Sequence, residues 1–448
     1  MNVRSPRPRH PGAFIILWFG SLITVGTGLL LLPISQQSTA GAVSLSDSFF
    51  TSASAITVTG LVVTDTATTW SGFGQIVLAA LIQVGGLGIM TIAGFFGIAI
   101  NRRLGVRSGL LAGAEIGLTD LGVLRNLLGD IARFVLYSEL ATALLLTSYF
   151  SSIKSMGLGD ATRHGFFHAI SAFNNAGFST FESGLESYVG DWFVNLVIVA
   201  SFVLGGLGFP VVFELRSRWS TPRSWTLHTK VTLSVSALLL VGGTVALGLL
   251  EWNNQETIGA LPIDERVLAS FFQSATARTA GFNTIPFSEL RAASLLILLP
   301  LMVVGASSSS TGGGIKTSTF AVVIQSTFAE LRRDATTVIF SRRIPLELQR
   351  QSLALIVAAL GFVGVATFLL TSAHSSIPVL DLMFEAGSAF GTAGVSTGIT
   401  SQLSELGRAV IVVTMFVGRV GPITFGTAVL LRPNRKKYGY AEEGLLIG

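Results

Sequence analysis

Apolar residues in this chain gather into long runs separated by short polar stretches. Four runs, near 13–33, 127–150, 229–250 and 351–371, and a second set near 75–100, 191–214, 291–328 and 405–431, each have the length of a spanning helix. A helix needs about 20 apolar residues to cross roughly 30 Å of hydrocarbon. Between each pair of runs lies an amphipathic segment, near 46–57, 163–174, 266–278 and 378–391. At about 12 residues these segments are too short to span, and they predict re-entrant helices. Each leads to a glycine with a phenylalanine ten residues before it: Phe50 and Gly60, Phe167 and Gly177, Phe271 and Gly281, Phe384 and Gly394. The glycines lie 117, 104 and 113 residues apart.

One unit therefore recurs four times, over 1–103, 104–218, 219–333 and 334–448. Recurrence at a fixed period marks a repeat architecture. The predicted fold is all-α and integral to the membrane: four non-identical repeats around one axis, with eight spanning helices and four re-entrant ones.

Composition agrees with a polytopic membrane protein. Half of the 448 residues are hydrophobic, 12% are charged and mean hydropathy is +0.67. Fifty glycines suit close helix packing in lipid. With no cysteine, disulfides, Cys-ligated zinc, iron–sulfur clusters and thiol nucleophiles are excluded. The net charge of +5 is spread over short loops, which argues against nucleic acid as a partner. Those loops set the orientation. Basic residues concentrate in the N-terminus, 101–107, Arg216 to Lys230, Arg332 to Arg350 and Arg432 to Lys437, and are sparse near 34–45, 151–165, 251–265 and 372–380. With eight spans the basic segments fall on one side, so the positive-inside rule predicts a multi-pass plasma-membrane protein with both termini cytoplasmic. The first apolar run continues without a clear cleavage site and is read as a retained helix rather than a signal peptide.

A re-entrant helix entering from outside aims its C-terminal end at the middle of the membrane, where its partial negative charge favours a cation. Carbonyl oxygens beyond it can replace the water of a dehydrated ion. The candidate filter is therefore Thr57, Val58, Thr59 and Gly60; Asn175, Ala176 and Gly177; Thr279, Ala280 and Gly281; Thr392, Ala393 and Gly394.

The second helix of the third repeat is interrupted by Gly305-Ala306-Ser307-Ser308-Ser309-Ser310-Thr311-Gly312-Gly313-Gly314-Ile315-Lys316. Each glycine inside a helix costs about 1 kcal/mol relative to alanine. A polar break at membrane depth must face protein or water, which predicts a gate at 305–316 below the filter, with Lys316 near its inner end. Arg419 lies inside the last apolar run, where a charge is expensive and marks a pathway or a partner. It is expected on the pathway wall beside the gate. The stretches 85–88 and 205–208, both Gly-Gly-Leu-Gly, predict close helix crossings.

TVTGL, HAISAFNNAGFS, TARTAGFNT and SAFGTAGVST resemble the four filter segments of the membrane subunits of bacterial Ktr potassium-uptake systems, in the Trk/Ktr/HKT superfamily. GASSSSTGGGIKTSTF resembles the gating loop of that family. The resemblance runs from about residue 25 to 430 and implies a potassium-selective pathway with one filter glycine per repeat, and an arginine at the place of Arg419. It also implies a homodimer with one pore per subunit. The expected partner is a cytosolic ring of RCK-type subunits that bind ATP or ADP, reached through Arg216 to Lys230 and Arg332 to Arg350. The tail AEEGLLIG resembles the segment that joins the two membrane subunits. No cofactor is expected in this chain besides the transported K⁺, and sodium as activator or co-ion stays open.

Two other readings compete. A secondary cation transporter or symporter with an occluded midplane site also uses broken helices, but usually as two inverted halves. An enzyme lacks any His/carboxylate cluster of trusted spacing. Gly312 to Thr317 departs from the spacing of a phosphate-binding loop. His168 is read as a packing or hydrogen-bonding residue, Arg278 as a brace, and Glu139, Glu214, Asp381 and Glu385 as candidate partners for buried bases.

Overall fold

The computed structural model describes residues 11–38, 43–88 and 121–421. The basic segments at the N-terminus, 101–107 and 432–437, the tail, and the ends of the runs near 75–100 and 405–431 lie outside the described residues.

The first repeat contributes α1 (Pro11–Leu30), α2 (Leu45–Thr57) and α3 (Gly72–Gly88). The second has α4 (Leu121–Ser152), α5 (Leu158–Phe173), α6 (Trp192–Leu207) and α7 (Phe209–Arg218). The third has α8 (Leu227–Glu251), α9 (Ile263–Thr276), α10 (Ala292–Val303) and α11 (Thr317–Leu331). A two-stranded hairpin, β1 (Val338–Ile339) and β2 (Arg342–Arg343), leads into α12 (Leu346–Ala373), α13 (Val379–Gly391) and α14 (Glu405–Val420). Local chemistry sets several starts. Ser44 and Asp47 form a capping box on α2, and Asp191, Thr226 and Ser404 accept from backbone N–H groups of α6, α8 and α14.

Among the described residues three helices are long and apolar enough to cross a membrane, and a fourth if the bent pair α6–α7 counts as one span. These long helices turn apolar side chains outward: only 17% of the apolar window of α8 is buried, and Leu249 and Phe368 are exposed. The short helices are the reverse, with nine of the 13 residues of α2 buried. The polar, small-residue elements thus lie inside and the greasy ones outside, the inversion expected when lipid is the solvent.

Each short helix packs against the long helix before it. The second helix of each repeat also packs on the short helix of the next: α6 on α9, α10 on α13, and α14 back on α2. Between the first and second repeats the contact runs through Gln83 Oε1, which accepts from Asn174 Nδ2 at 2.9 Å. The circle is closed.

Two details depart from the sequence reading. The run near 191–214 is not one helix: α6 and α7 meet at 102°. Gly208, at φ 82° and ψ 146°, adopts a backbone that a β-carbon would strain, and Pro210 starts the new helix. In the third repeat the buried phenylalanine is Phe272 rather than Phe271. Thr59, Ala176 and Ala393 donate their N–H groups five residues back to Ser54, Ser171 and Ser388, whereas Ala280 reaches only four back, to Thr276. That loop is one residue shorter, so the true spacing to Gly281 is nine.

Candidate ion pathway

The four glycines meet at the centre of the circle. Each has a left-handed backbone, with φ of 93° at Gly60, 70° at Gly177, 83° at Gly281 and 79° at Gly394. The residue two places ahead is left-handed as well, at Val58, Asn175, Thr279 and Thr392. Three of those are β-branched, for which this region costs about 1–3 kcal/mol and persists only where surroundings impose it.

A β-carbon at Gly60 or Gly394 would collide with the carbonyl oxygen of the next repeat, Ala176 O or Thr59 O. At Gly177 or Gly281 it would press first on the Cα of the other glycine, at 2.6 and 2.8 Å, and then on Ala280 O or Ala393 O at 3.0 Å. Carbonyls of the middle residues therefore alternate with glycines in a closed ring. Side chains behind it hold the loops in place. Ser54 Oγ accepts from Gly60 N at 3.1 Å, Ser171 Oγ donates to Phe178 O at 2.8 Å, and Thr276 Oγ1 donates to Phe282 O at 2.7 Å. Thr57 Oγ1 donates to its own helix carbonyl, Ala53 O, at 2.7 Å and lies 2.8 Å from Thr59 Oγ1.

On one side the ring floors an open cavity of about 420 Å³. Its wall carries Asp65, Glu182 and Glu186, which the sequence reading missed because they are scattered over two repeats and no motif links them. Partial burial pushes the Glu186 carboxyl above its ordinary range, against the opposing hydrogen bond from Asn283. A cleft lined by one sign of charge concentrates the opposite ion.

On the other side lies the 305–316 segment. Ser307 N donates to Gly206 O at 3.1 Å, and Thr311 N to Gly205 O at 3.2 Å, using carbonyls at the end of α6 just before the bend. Thr311 Oγ1 donates to Asn175 Oδ1 at 2.9 Å. Gly313 N donates to Thr392 Oγ1 at 2.9 Å and Gly314 N to Gly418 O at 3.3 Å. A β-carbon at Gly305 would press on Thr279 Cγ2 at 2.7 Å. Ser310 Oγ bonds back to Ser307 O at 2.6 Å, Ser308 Oγ lies 3.1 Å from Ser318 Oγ, and Ser309 takes φ 61°. Gly312 abuts the Thr279 side chain. The segment thus touches loops of the second, third and fourth repeats directly below the ring.

Arg419 completes the set. It is buried, donating from Nη1 to Thr311 O and from Nη2 to Gly85 O at 2.9 Å, which ties the loop to the first repeat. Lys316 Nζ folds back on the loop itself, donating to Gly312 O at 2.6 Å and Gly313 O at 3.4 Å. Among the described residues no carboxylate pairs with either cation. Of the candidate partners, Glu139 accepts from Asn174, Glu385 from Ser396 and Thr400, and Glu214 from Thr226 and Thr229. Arg278 points away from the ring to Ser236, and His168 bonds Ser179 at 2.9 Å. The glycine-rich crossings have a concrete cause: a β-carbon at Gly85, Gly205 or Gly418 would collide with the carbonyl oxygen of Ile56, Phe173 or Phe390.

The family described as TrkH, cation transport protein, matches residues 10–437. The chain is 40% identical over 415 residues to the Ktr system potassium uptake protein B of Bacillus subtilis, covering 93% of this chain and 92% of that protein. It is 39% identical over 435 residues to the protein of the same name from Vibrio alginolyticus, covering 97% and 94%. The crystal structure of the potassium transporter TrkH from Vibrio parahaemolyticus superposes with a TM-score of 0.75 at 18% identity, over 97% of this chain and 87% of that one.

Proposed function

The chain belongs to the TrkH family of cation transport proteins, among its Ktr-system members, and from that premise we propose that it is the potassium-translocating membrane subunit of a Ktr-type uptake system. The observation that carries the mechanism is the closed ring in which Gly60, Gly177, Gly281 and Gly394 alternate with the carbonyls of Thr59, Ala176, Ala280 and Ala393. We read that ring as the K⁺ selectivity filter. The four short helices are its re-entrant pore helices, and their C-terminal ends add negative potential where the ion loses water. Eight spans with both termini cytoplasmic place the acidic cavity outside, so that membrane potential drives K⁺ inward.

Residues 305–316 form the gate. Their position under the ring, their contacts with the second, third and fourth repeats and their link to the first through Arg419 support this role. Arg419 and Lys316 neutralise loop carbonyls that would otherwise attract the ion, and opening requires those bonds to be exchanged. A homodimer, and control by a cytosolic ATP- or ADP-binding ring through the basic segments 216–230 and 332–350, complete the proposed assembly. The symporter reading is disfavoured by four like units around one ring in place of two inverted halves.

Growth of a bacterium lacking its own K⁺ uptake tests the function. Expression together with a cytosolic partner is expected to restore growth at low K⁺. Loss of rescue on replacing Gly177 by serine supports the filter reading, and full rescue by that variant contradicts it.

A further inference from the structure

In three of the four repeats the residue directly after the buried phenylalanine is polar, buried, and bonded to the residue eleven positions on. His168 Nε2 lies 2.9 Å from Ser179 Oγ. The Gln273 amide lies 2.9 Å from Thr284 Oγ1. The Glu385 carboxylate accepts from Ser396 Oγ at 2.7 Å and from Thr400 Oγ1. All three are 1% exposed or less. Each partner sits two or three places beyond the ring glycine, where the chain runs back outward. In the first repeat the same place holds Thr51, whose hydroxyl has no partner among the described residues, and the residue eleven on is Val62.

Burying a polar side chain is costly unless it is bonded. An imidazole, an amide and a carboxylate share one register and one partner offset, so the geometry and not a particular chemistry is what recurs. We infer that His168, Gln273 and Glu385 are positioning residues that pin the outgoing backbone to the short helix and thereby set the width of the ring. Glu385 is held by two hydroxyl donors, and the first repeat is the compliant side. This rests on the reading of the ring as the filter, because bracing alters ion discrimination only if the braced backbone meets the ion.

The test is the ratio of Rb⁺ to Na⁺ flux in proteoliposomes, which does not depend on the fraction of active protein. Glu385→Ala is expected to lower the ratio about tenfold, the scale of one buried hydrogen bond to a charged group. Glu385→Gln, whose amide oxygen still accepts, should restore most of it. Gly394→Ala is measured alongside. A wild-type ratio for Glu385→Ala with a lowered ratio for Gly394→Ala overturns the brace and leaves the filter standing. A wild-type ratio for Gly394→Ala overturns the filter reading and the brace with it. If Glu385→Ala shows no flux, the double variant Ser396→Ala/Thr400→Val breaks the same contact from the loop side. A lowered ratio there supports the inference, and an unchanged one refutes it.

Discussion

A β-carbon at Gly281 would stand 2.8 Å from Gly177 Cα and 3.0 Å from Ala393 O, at a φ of 83° that side chains rarely adopt. Space and backbone conformation exclude it independently, which is why the glycines were legible from sequence: nothing else fits. The left-handed conformation two places ahead was not legible, since Val58, Thr279 and Thr392 are β-branched residues that disfavour it. Their conformation is imposed by the loop, not by propensity. Arg419 was found from its cost in an apolar run, but its partners are backbone carbonyls, Thr311 and Gly85, which no side-chain pattern announces. Those bonds give a prediction at this scale. Arg419→Gln should release the loop and raise basal Rb⁺ flux about tenfold or more, since hydrogen bonds to charged groups contribute roughly 1.5–3 kcal/mol. Flux equal to wild type would show that the arginine does not hold the loop closed.

Among elements, the long helices α4, α8 and α12 lie within about six residues of their apolar runs, and the four short helices lie within about five of their expected places. The break in α10–α11 was also legible, because twelve consecutive residues rich in glycine and hydroxyls cannot sustain a helix in lipid. The bend at Gly208 was hidden. One glycine and one proline inside an apolar stretch read equally well as a straight helix crossing. The bend leaves the carbonyls of Gly205 and Gly206 available for the 305–316 segment, so the two breaks complete each other. Gly208→Ala would force a β-carbon to 2.7 Å from Ser308 O and 3.0 Å from Ser309 O. We expect thermal stability to fall by about 1–3 kcal/mol, with higher basal flux from a displaced loop. A variant as stable as wild type with unaltered flux would mean that the bend is incidental.

Across the whole molecule, four loops far apart in the sequence meet in a ring that no one of them contains. The glycine spacing was legible in the sequence, but the order of contacts between neighbouring elements and the acidic cavity above the ring arise only on assembly. Glu186 offers a test of that cavity. Its carboxyl takes up a proton above the ordinary carboxylate range, so its charge is lost early as external pH falls. Inward Rb⁺ flux at low ionic strength should decline through that range, and Glu186→Gln or added salt should flatten the decline. A decline that persists unchanged in Glu186→Gln would assign it elsewhere. The central claim is that these glycines select the ion. Its most direct measurement is voltage-driven Rb⁺ uptake into proteoliposomes, competed with K⁺ or Na⁺, for wild type and Gly281→Ser with the gate segment 307–313 shortened in both. The account predicts uptake blocked by K⁺ and not by Na⁺ in the wild-type background, with that preference weakened at least tenfold by the serine. Equal block by both ions in the wild-type background, or a preference that survives the serine, would contradict it.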